Sequence, residues 1–222
     1  MTETPTHIIT PPNWTDKLNL SDYFDTSKPL DVDVGCGKGR LLLALAAKSP
    51  DRNFIGIDRQ LARLRVIDKR INGRSIQNTK LLRIENSYAI QYLLAPKSVS
   101  TFYVFFPDPW PKKRHHKRRM FNAEFLETLT ARLTDDGKIH VTTDHLQYFE
   151  EMESLLKNDK RFKEIETFVT DDDEKTNFEL IFLKQNLPIG RCAGRRRCRY
   201  QSAGFRSPQP VRLRRQRPAR SR

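Results

Sequence analysis

Three glycines in five residues, Gly35-Cys36-Gly37-Lys38-Gly39, follow a β-type run at 30–34 and open a helical stretch at 40–50. Glycines at such a turn allow positive φ and let a ligand approach the backbone closely. The helix behind them points its free N–H groups at the same place. A glycine-rich turn alone says little. Here a strand precedes it, a helix follows, and Asp58 ends the next β-type run 19 residues beyond Gly39. A carboxylate in that position accepts hydrogen bonds from ribose hydroxyls. A nicotinamide dinucleotide fits G-x-G-x-x-G, whereas this turn reads G-x-G-x-G and has Asp33 just before it. A carboxylate is poor company for pyrophosphate and good company for the ammonium and sulfonium of S-adenosylmethionine. The turn is therefore expected to hold S-adenosylmethionine rather than NAD, and a ligand rather than nothing. After the third β-type run, Asn86 either hydrogen-bonds an adenine amino group or, with Ser87, caps a helix.

The stretch 105–119, FFPDPWPKKRHHKRR, carries the second set of candidates. Three prolines in five residues fix a rigid loop around Asp108. That residue sits at the carboxyl end of a central strand, where ligands meet in open α/β sheets. Trp110 offers a flat face for a base, although packing beneath the loop is the favoured role. Lys112, Lys113, Arg114, Lys117, Arg118 and Arg119 then crowd eight residues. A charge run is usually a solvated face. One that starts four residues from a candidate site carboxylate is expected to bind phosphate. His115-His116 lacks the further ligands that a metal needs, so no metal is expected. Asp144, ending the fifth strand, either lies on the same rim as Asp108 or caps the next helix. The stretch Thr176–Glu179 opens a strand candidate.

These residues need a frame. Strand patterns at 30–34, 53–58, 80–85, 98–106 and 135–144 alternate with helical stripes, and two more strand candidates follow at 161–169 and 176–185. The order predicts an α/β fold: a doubly wound, mostly parallel sheet with an antiparallel strand near the C-terminus. Residues 1–29 are expected to be an N-terminal extension that Trp14, Leu18, Leu20, Tyr23 and Phe24 could dock onto the body, the loose alternative being favoured beyond Leu18, and 30–190 the folded domain. Residues 191–222 contain twelve Arg, no Lys and no acid, and are expected to be disordered. The chain has 41 Lys+Arg against 27 Asp+Glu; less those twelve, 29 face 27, a net of +2. The headline basicity is therefore the tail's and says little about the body. No apolar run reaches the ~20 residues of a membrane span. Three cysteines make neither a disulfide framework nor a zinc site, and a cytoplasmic protein without an obligatory protein partner is expected.

The motifs DVGCGKGR (33–40), FIGIDR (54–59), FFPDPWPKKRHHKRR (105–119), VTTD (141–144) and TNFE (176–179) together resemble the tRNA (guanine-N7-)-methyltransferase family, in that family's order. The Gly-rich turn alone would mark only a class I methyltransferase. The resemblance implies methyl transfer to the variable-loop guanosine of tRNA (position 46). It implies S-adenosylmethionine contacts at Asp33, Gly35, Asp58 and Asn86, and a site carboxylate at Asp108. It implies tRNA contacts at Lys112, Asp144, Thr176, Asn177, Phe178 and Glu179, with Arg114, Lys117, Arg118 and Arg119 on the RNA backbone. Asp33 and Asp58 stand where Glu is commoner, and Asn86 where bacterial members often have Asp. The tail is not part of the resemblance, and is either an RNA-binding extension or a reading-frame accident. The alternatives are a class I methyltransferase for another RNA, a protein or a small molecule, or a non-catalytic RNA-binding protein of the same fold. Six cations beside the pocket speak against the small molecule.

Overall fold

Short β-branched and aromatic runs, each bounded by turn residues, build one eight-stranded sheet in the computed structural model, which describes residues 6–197. The strands are β1 (Ile8–Ile9), β2 (Leu30–Val34), β3 (Asn53–Ile57), β4 (Thr79–Leu82), β5 (Val99–Phe105), β6 (Leu133–Thr143), β7 (Phe162–Glu164) and β8 (Gly190–Arg196). They lie in the order β1-β4-β3-β2-β5-β6-β8-β7. Pairing is parallel from β1 through β6, and β8 joins β6 and β7 antiparallel. The expected doubly wound sheet with an antiparallel element is what forms. Strand order reverses at β2, whose neighbours are β3 and β5. The crevice at such a reversal, outside the carboxyl ends of the strands, is where open α/β sheets bind ligands.

Every residue of β2 and β3 is buried, as central parallel strands require. One sheet face packs α1 (Arg40–Lys48) and α2 (Leu61–Gly73) through Leu42, Leu45, Leu64, Ile67 and Ile71. The other carries Val32, Val34, Phe102 and Val104 against α4 (Ala123–Arg132) and α5 (Leu146–Asn158). Between β4 and β5 run the short α3 (Asn86–Tyr88) and a π-turn at Ala89–Leu93. Lys48, at the end of α1, has its ammonium 2.9 Å from each of Asp171, Asp173 and Glu174, which ties the 171–174 turn to that helix. No helix among the described residues is long and apolar enough to cross a membrane.

Three expectations about the chain's layout are corrected. Residues 176–185 do not make a strand. They form α6 (Asn177–Lys184), because the Thr176 side chain accepts a hydrogen bond from the Glu179 N–H and starts a helix. The strand expected there lies further on, inside the segment read as disordered tail: β8 occupies Gly190–Arg196 between β6 and β7. Residues 198–222, the rest of that tail, lie outside the described residues. Finally, the described part of the N-terminal extension, from residue 6 on, is docked rather than loose. Ile8 and Ile9 pair with β4, Leu18 is buried, and Trp14, Leu20, Tyr23 and Phe24 pack on the core.

Candidate active site

Gly35, Gly37 and Gly39 have φ of 78°, 56° and 70°, a region that side-chain-bearing residues rarely adopt. At Gly39 a Cβ would also stand 2.7 Å from an Ile67 carbon, so α2 leaves no room for a side chain there. Gly39 begins α1 without a side-chain cap, which leaves the first N–H groups of the helix uncapped at the carboxyl end of β2. Asp58 is buried at the end of β3. One carboxylate oxygen accepts from the Gln60 N–H (2.7 Å), the other from the Gly37 N–H (3.2 Å) and from Arg63 (3.3 Å). This acid therefore clasps the Gly-rich turn as well as facing the crevice.

Asp33 is 5% exposed and has no hydrogen-bond partner among the described residues. Burial, with the nearby Asp58 charge adding to it, pushes its carboxyl up to about 7. The α3 cap is Glu85, whose side chain accepts from the Ser87 and Tyr88 N–H groups. That settles one open alternative: Asn86 is not the cap. Its Nδ2 lies 3.5 Å from the Met120 sulfur, and its Oδ1 is buried without a partner among the described residues. A Cβ on Gly35 would sit 3.5 Å from that same Nδ2, so the turn and Asn86 share one wall. A buried acceptor lacking a donor, a buried carboxylate lacking a cation and a side-chain-free turn together fit S-adenosylmethionine: adenine amino group, charged amino-acid end and close backbone approach respectively.

Asp108 follows β5, the strand beside β2. It is exposed, and it has no partner among the described residues. Phe106 and Trp110, two residues to either side, have φ of 52° and 44°. Each left-handed non-glycine costs about 1–2 kcal/mol, the kind of strain that functional loops hold. Trp110 supports the loop as expected: Arg118 lies 5.0 Å over its ring and His115 meets it edge-on at 5.9 Å. Residues Lys113–Arg118 wind into a 3-10 turn, with Lys112, Lys113, Arg114, Lys117 and Arg118 exposed. Asp144 is half-buried on the same rim and is not a cap; His145 Nδ1 takes that role for α5 by accepting from the Tyr148 N–H.

Thr176, Asn177 and Phe178 join this rim from α6. Arg40, first residue of α1, donates to the Lys175 carbonyl (2.8 Å), and the Phe178 ring sits 6.3 Å from that of Phe106. The stretch thus bridges the Gly-rich turn and the Asp108 loop. Arg63 and Met120 were not singled out from sequence, since nothing local marks them; Arg40 and Phe106 lie within quoted motifs but were given no role of their own.

Two residues expected at the RNA surface are inside the protein. Arg119 is buried. It donates to both Glu151 carboxylate oxygens (2.7 Å) and to the Pro109 carbonyl (2.8 Å), and lies 4.7 Å over the Tyr148 ring. It braces the loop. Arg119→Ala is expected to cost ~2–3 kcal/mol, a melting-temperature drop of roughly 5–10 °C by calorimetry; an unchanged melting curve would refute the bracing role. Glu179 is fully buried on the inner side of α6, where its Oε1 accepts from Thr170 and Arg191, each at 2.6 Å. Its Oε2 alone lacks a partner.

A family model described as "Putative methyltransferase" matches residues 27–185. The chain is 38% identical over 146 residues to a tRNA (guanine-N(7)-)-methyltransferase of Streptococcus suis, covering 66% of this chain and 68% of the relative. It is 32% identical over 179 residues to the enzyme of the same name from Rubrobacter xylanophilus, covering 78% and 79%. Among solved structures, the 16S rRNA methyltransferase KamB superposes with a TM-score of 0.58 at 14% identity, over 80% of this chain and 91% of that one. An rRNA methylase of Streptococcus thermophilus does so at 0.52 and 18%, over 80% and 92%. At such identities these two likenesses speak for the fold alone.

Proposed function

The chain belongs to the tRNA (guanine-N7-)-methyltransferase family, and on that premise we propose that it transfers a methyl group from S-adenosylmethionine to N7 of a guanine in tRNA, the variable-loop guanosine. The observation that carries this reading is the pairing of two half-sites on adjoining strands. After β2 lies a crevice where Asp33 and Asn86 Oδ1 lack partners among the described residues. After β5 lies an exposed carboxylate followed by five exposed cations.

S-adenosylmethionine supplies, when bound, a methyl group activated by a sulfonium. Asp33 is the counter-charge for the ligand's cationic end, Asp58 the acceptor for ribose hydroxyls and Asn86 Oδ1 the acceptor for the adenine amino group. Guanine N7 already has an exposed lone pair and carries no proton, so this chain needs no strong general base. Its work is to hold N7 in line with the methyl–sulfur bond and keep water out. Asp108 orients the base through the N1–H and amino donors. Lys112, Arg114, Lys117 and Arg118 hold phosphates.

The direct test is methyl incorporation into unmodified tRNA followed by base analysis; a methyl group on any atom but guanine N7 would sink the reading. A second expected outcome concerns the loop. Arg114→Gln with Lys117→Gln raises the KM for tRNA and flattens its salt dependence, by somewhat under one log–log unit per lost phosphate contact. S-adenosylmethionine affinity, measured by calorimetry, stays as it was. A cofactor affinity that falls in step with tRNA affinity would show that the loop serves the other half-site.

A further inference from the structure

Between residues 59 and 83 the chain carries eight Lys or Arg and one acid, Asp68. None of that charge belongs to the Asp108 loop. The lone acid does not neutralise it, because Asp68 is turned toward the N-terminal arm, accepting from the His7 N–H (2.7 Å) and the Thr6 hydroxyl (3.2 Å). The inward stripe of α2 is apolar, with Leu64, Ile67 and Ile71 buried. Its outward side presents Arg65 and Lys69, one turn apart, and Arg74 caps its end; all three are exposed and without an ion-pair partner among the described residues. Like charges four residues apart weaken a helix. The helix dipole favours a cation at the C-terminal end, which accounts for Arg74 but not for Arg65.

The position of this stripe gives it a direction. α2 leaves β3 at the crevice rim and packs against the Gly-rich turn, where Arg70 donates to the Lys38 carbonyl at 3.1 Å. Exposed Lys38, Arg59 and Arg83 follow β2, β3 and β4 on that rim, and the basic loop follows β5. Cations therefore leave the carboxyl ends of four neighbouring strands in turn. They continue from there down α2, about 20 Å long, on the side of the crevice away from the loop.

We propose that the outer face and C-terminal end of α2, through Arg65 and Lys69 on the face and Arg74 at the end, are a second docking surface for the phosphate backbone of the same tRNA, on the opposite side of the cofactor crevice from the loop. This rests on tRNA being the substrate. The loop grips the nucleotides around the target guanine. The α2 face grips a part of the RNA distant from it, so it contributes to affinity and not to chemistry. An acidic protein partner would leave tRNA binding untouched, and the test separates the two.

The experiment compares the wild type with the triple variant Arg65→Gln, Lys69→Gln, Arg74→Gln, with circular dichroism checking the fold. Binding of a full-length tRNA transcript and of a short hairpin carrying only the target loop is measured between 50 and 300 mM salt, ranges chosen to expose counterion release. For full-length tRNA the log–log salt slope drops by about two, and affinity near 100 mM falls roughly ten- to a hundredfold. Hairpin affinity, cofactor affinity and kcat at saturating tRNA are unchanged. Restoring charge with Arg65→Lys, Arg74→Lys on an intact Lys69 recovers most of the slope. Should the triple variant fold poorly, Lys69→Glu alone is expected to lower the slope by about one, the share of a single phosphate contact. Unchanged tRNA affinity and slope in a folded variant overturn the proposal, as does equal loss on the hairpin. Because binding is read without turnover, a tRNA that binds but is never methylated at N7 would remove the proposed function and leave this surface standing.

Discussion

Asp33→Asn abolishes measurable S-adenosylmethionine binding and, at pH 8, raises the melting temperature of the ligand-free protein. Both effects follow from the proposed ligand role together with one observation: a buried carboxylate with no hydrogen-bond partner among the described residues, pushed up to about 7 by burial and by Asp58. The unfolded chain holds that proton with a value of 3.8. A raised folded value means that the acid's favourable contribution is complete below the unfolded value and is lost as pH rises through about 7. At pH 8 the folded protein carries the charge at a cost of at most about 4 kcal/mol, the separation of the two values at 1.36 kcal/mol per unit. A neutral amide of the same shape removes much of that cost. On the proposed reading a cationic ligand offsets the carboxylate, so the stabilised variant is the one that cannot bind. In the wild type, affinity weakens up to tenfold per pH unit below about 7, and binding releases a proton there. Calorimetry in buffers of different ionisation heat reads that proton, and the variant shows no such dependence. A variant that binds normally, or melts lower at pH 8, would refute the assignment.

What sequence shows here depends on how far apart the cooperating residues are. The Gly-rich turn, Asp58 and the Asp108 loop are local features with flanking elements, and each stands where its spacing places it. Arg119 and Glu179 look like surface charges because their partners, Glu151 and Arg191, are distant in sequence; only the fold makes them internal braces. β8 was hidden in the same way. GRCAGRR has little apolar content to suggest a strand, and its arginines are accommodated by long-range partners: Arg191 by Glu179, Arg195 by Asp136, Arg196 by the Leu133 carbonyl. For α6 the signal was present. Thr176-x-x-Glu179 is a capping pattern, and it overrides the polar–apolar alternation that suggests a strand. Asn86 shows the reverse case. Two readings were open from the sequence, and a neighbour, Glu85, took the cap and left Asn86 with a buried free acceptor.

Asp108→Ala lowers kcat/KM for tRNA methylation by roughly 10²–10³, the range for removing one preorganised polar group at a reacting centre. Its melting temperature stays within about 2 °C of wild type, because an exposed side chain without a partner among the described residues contributes little to stability. Prolines 107, 109 and 111 and the strained Phe106 and Trp110 hold the backbone whatever side chain stands at 108. The role of the carboxylate is resolved by changing the substrate as well. Inosine lacks the guanine amino group but keeps N7. If Asp108 accepts from that amino group and from N1–H, a tRNA with inosine at the target loses activity in the wild type and much less in Asp108→Ala, since each change removes the same contact. If the carboxylate acts instead on the positive charge that methylation leaves on the base, the two losses add. An Asp108→Ala protein with unimpaired methylation would remove the residue from the site and leave the exposed acid between three prolines without a function.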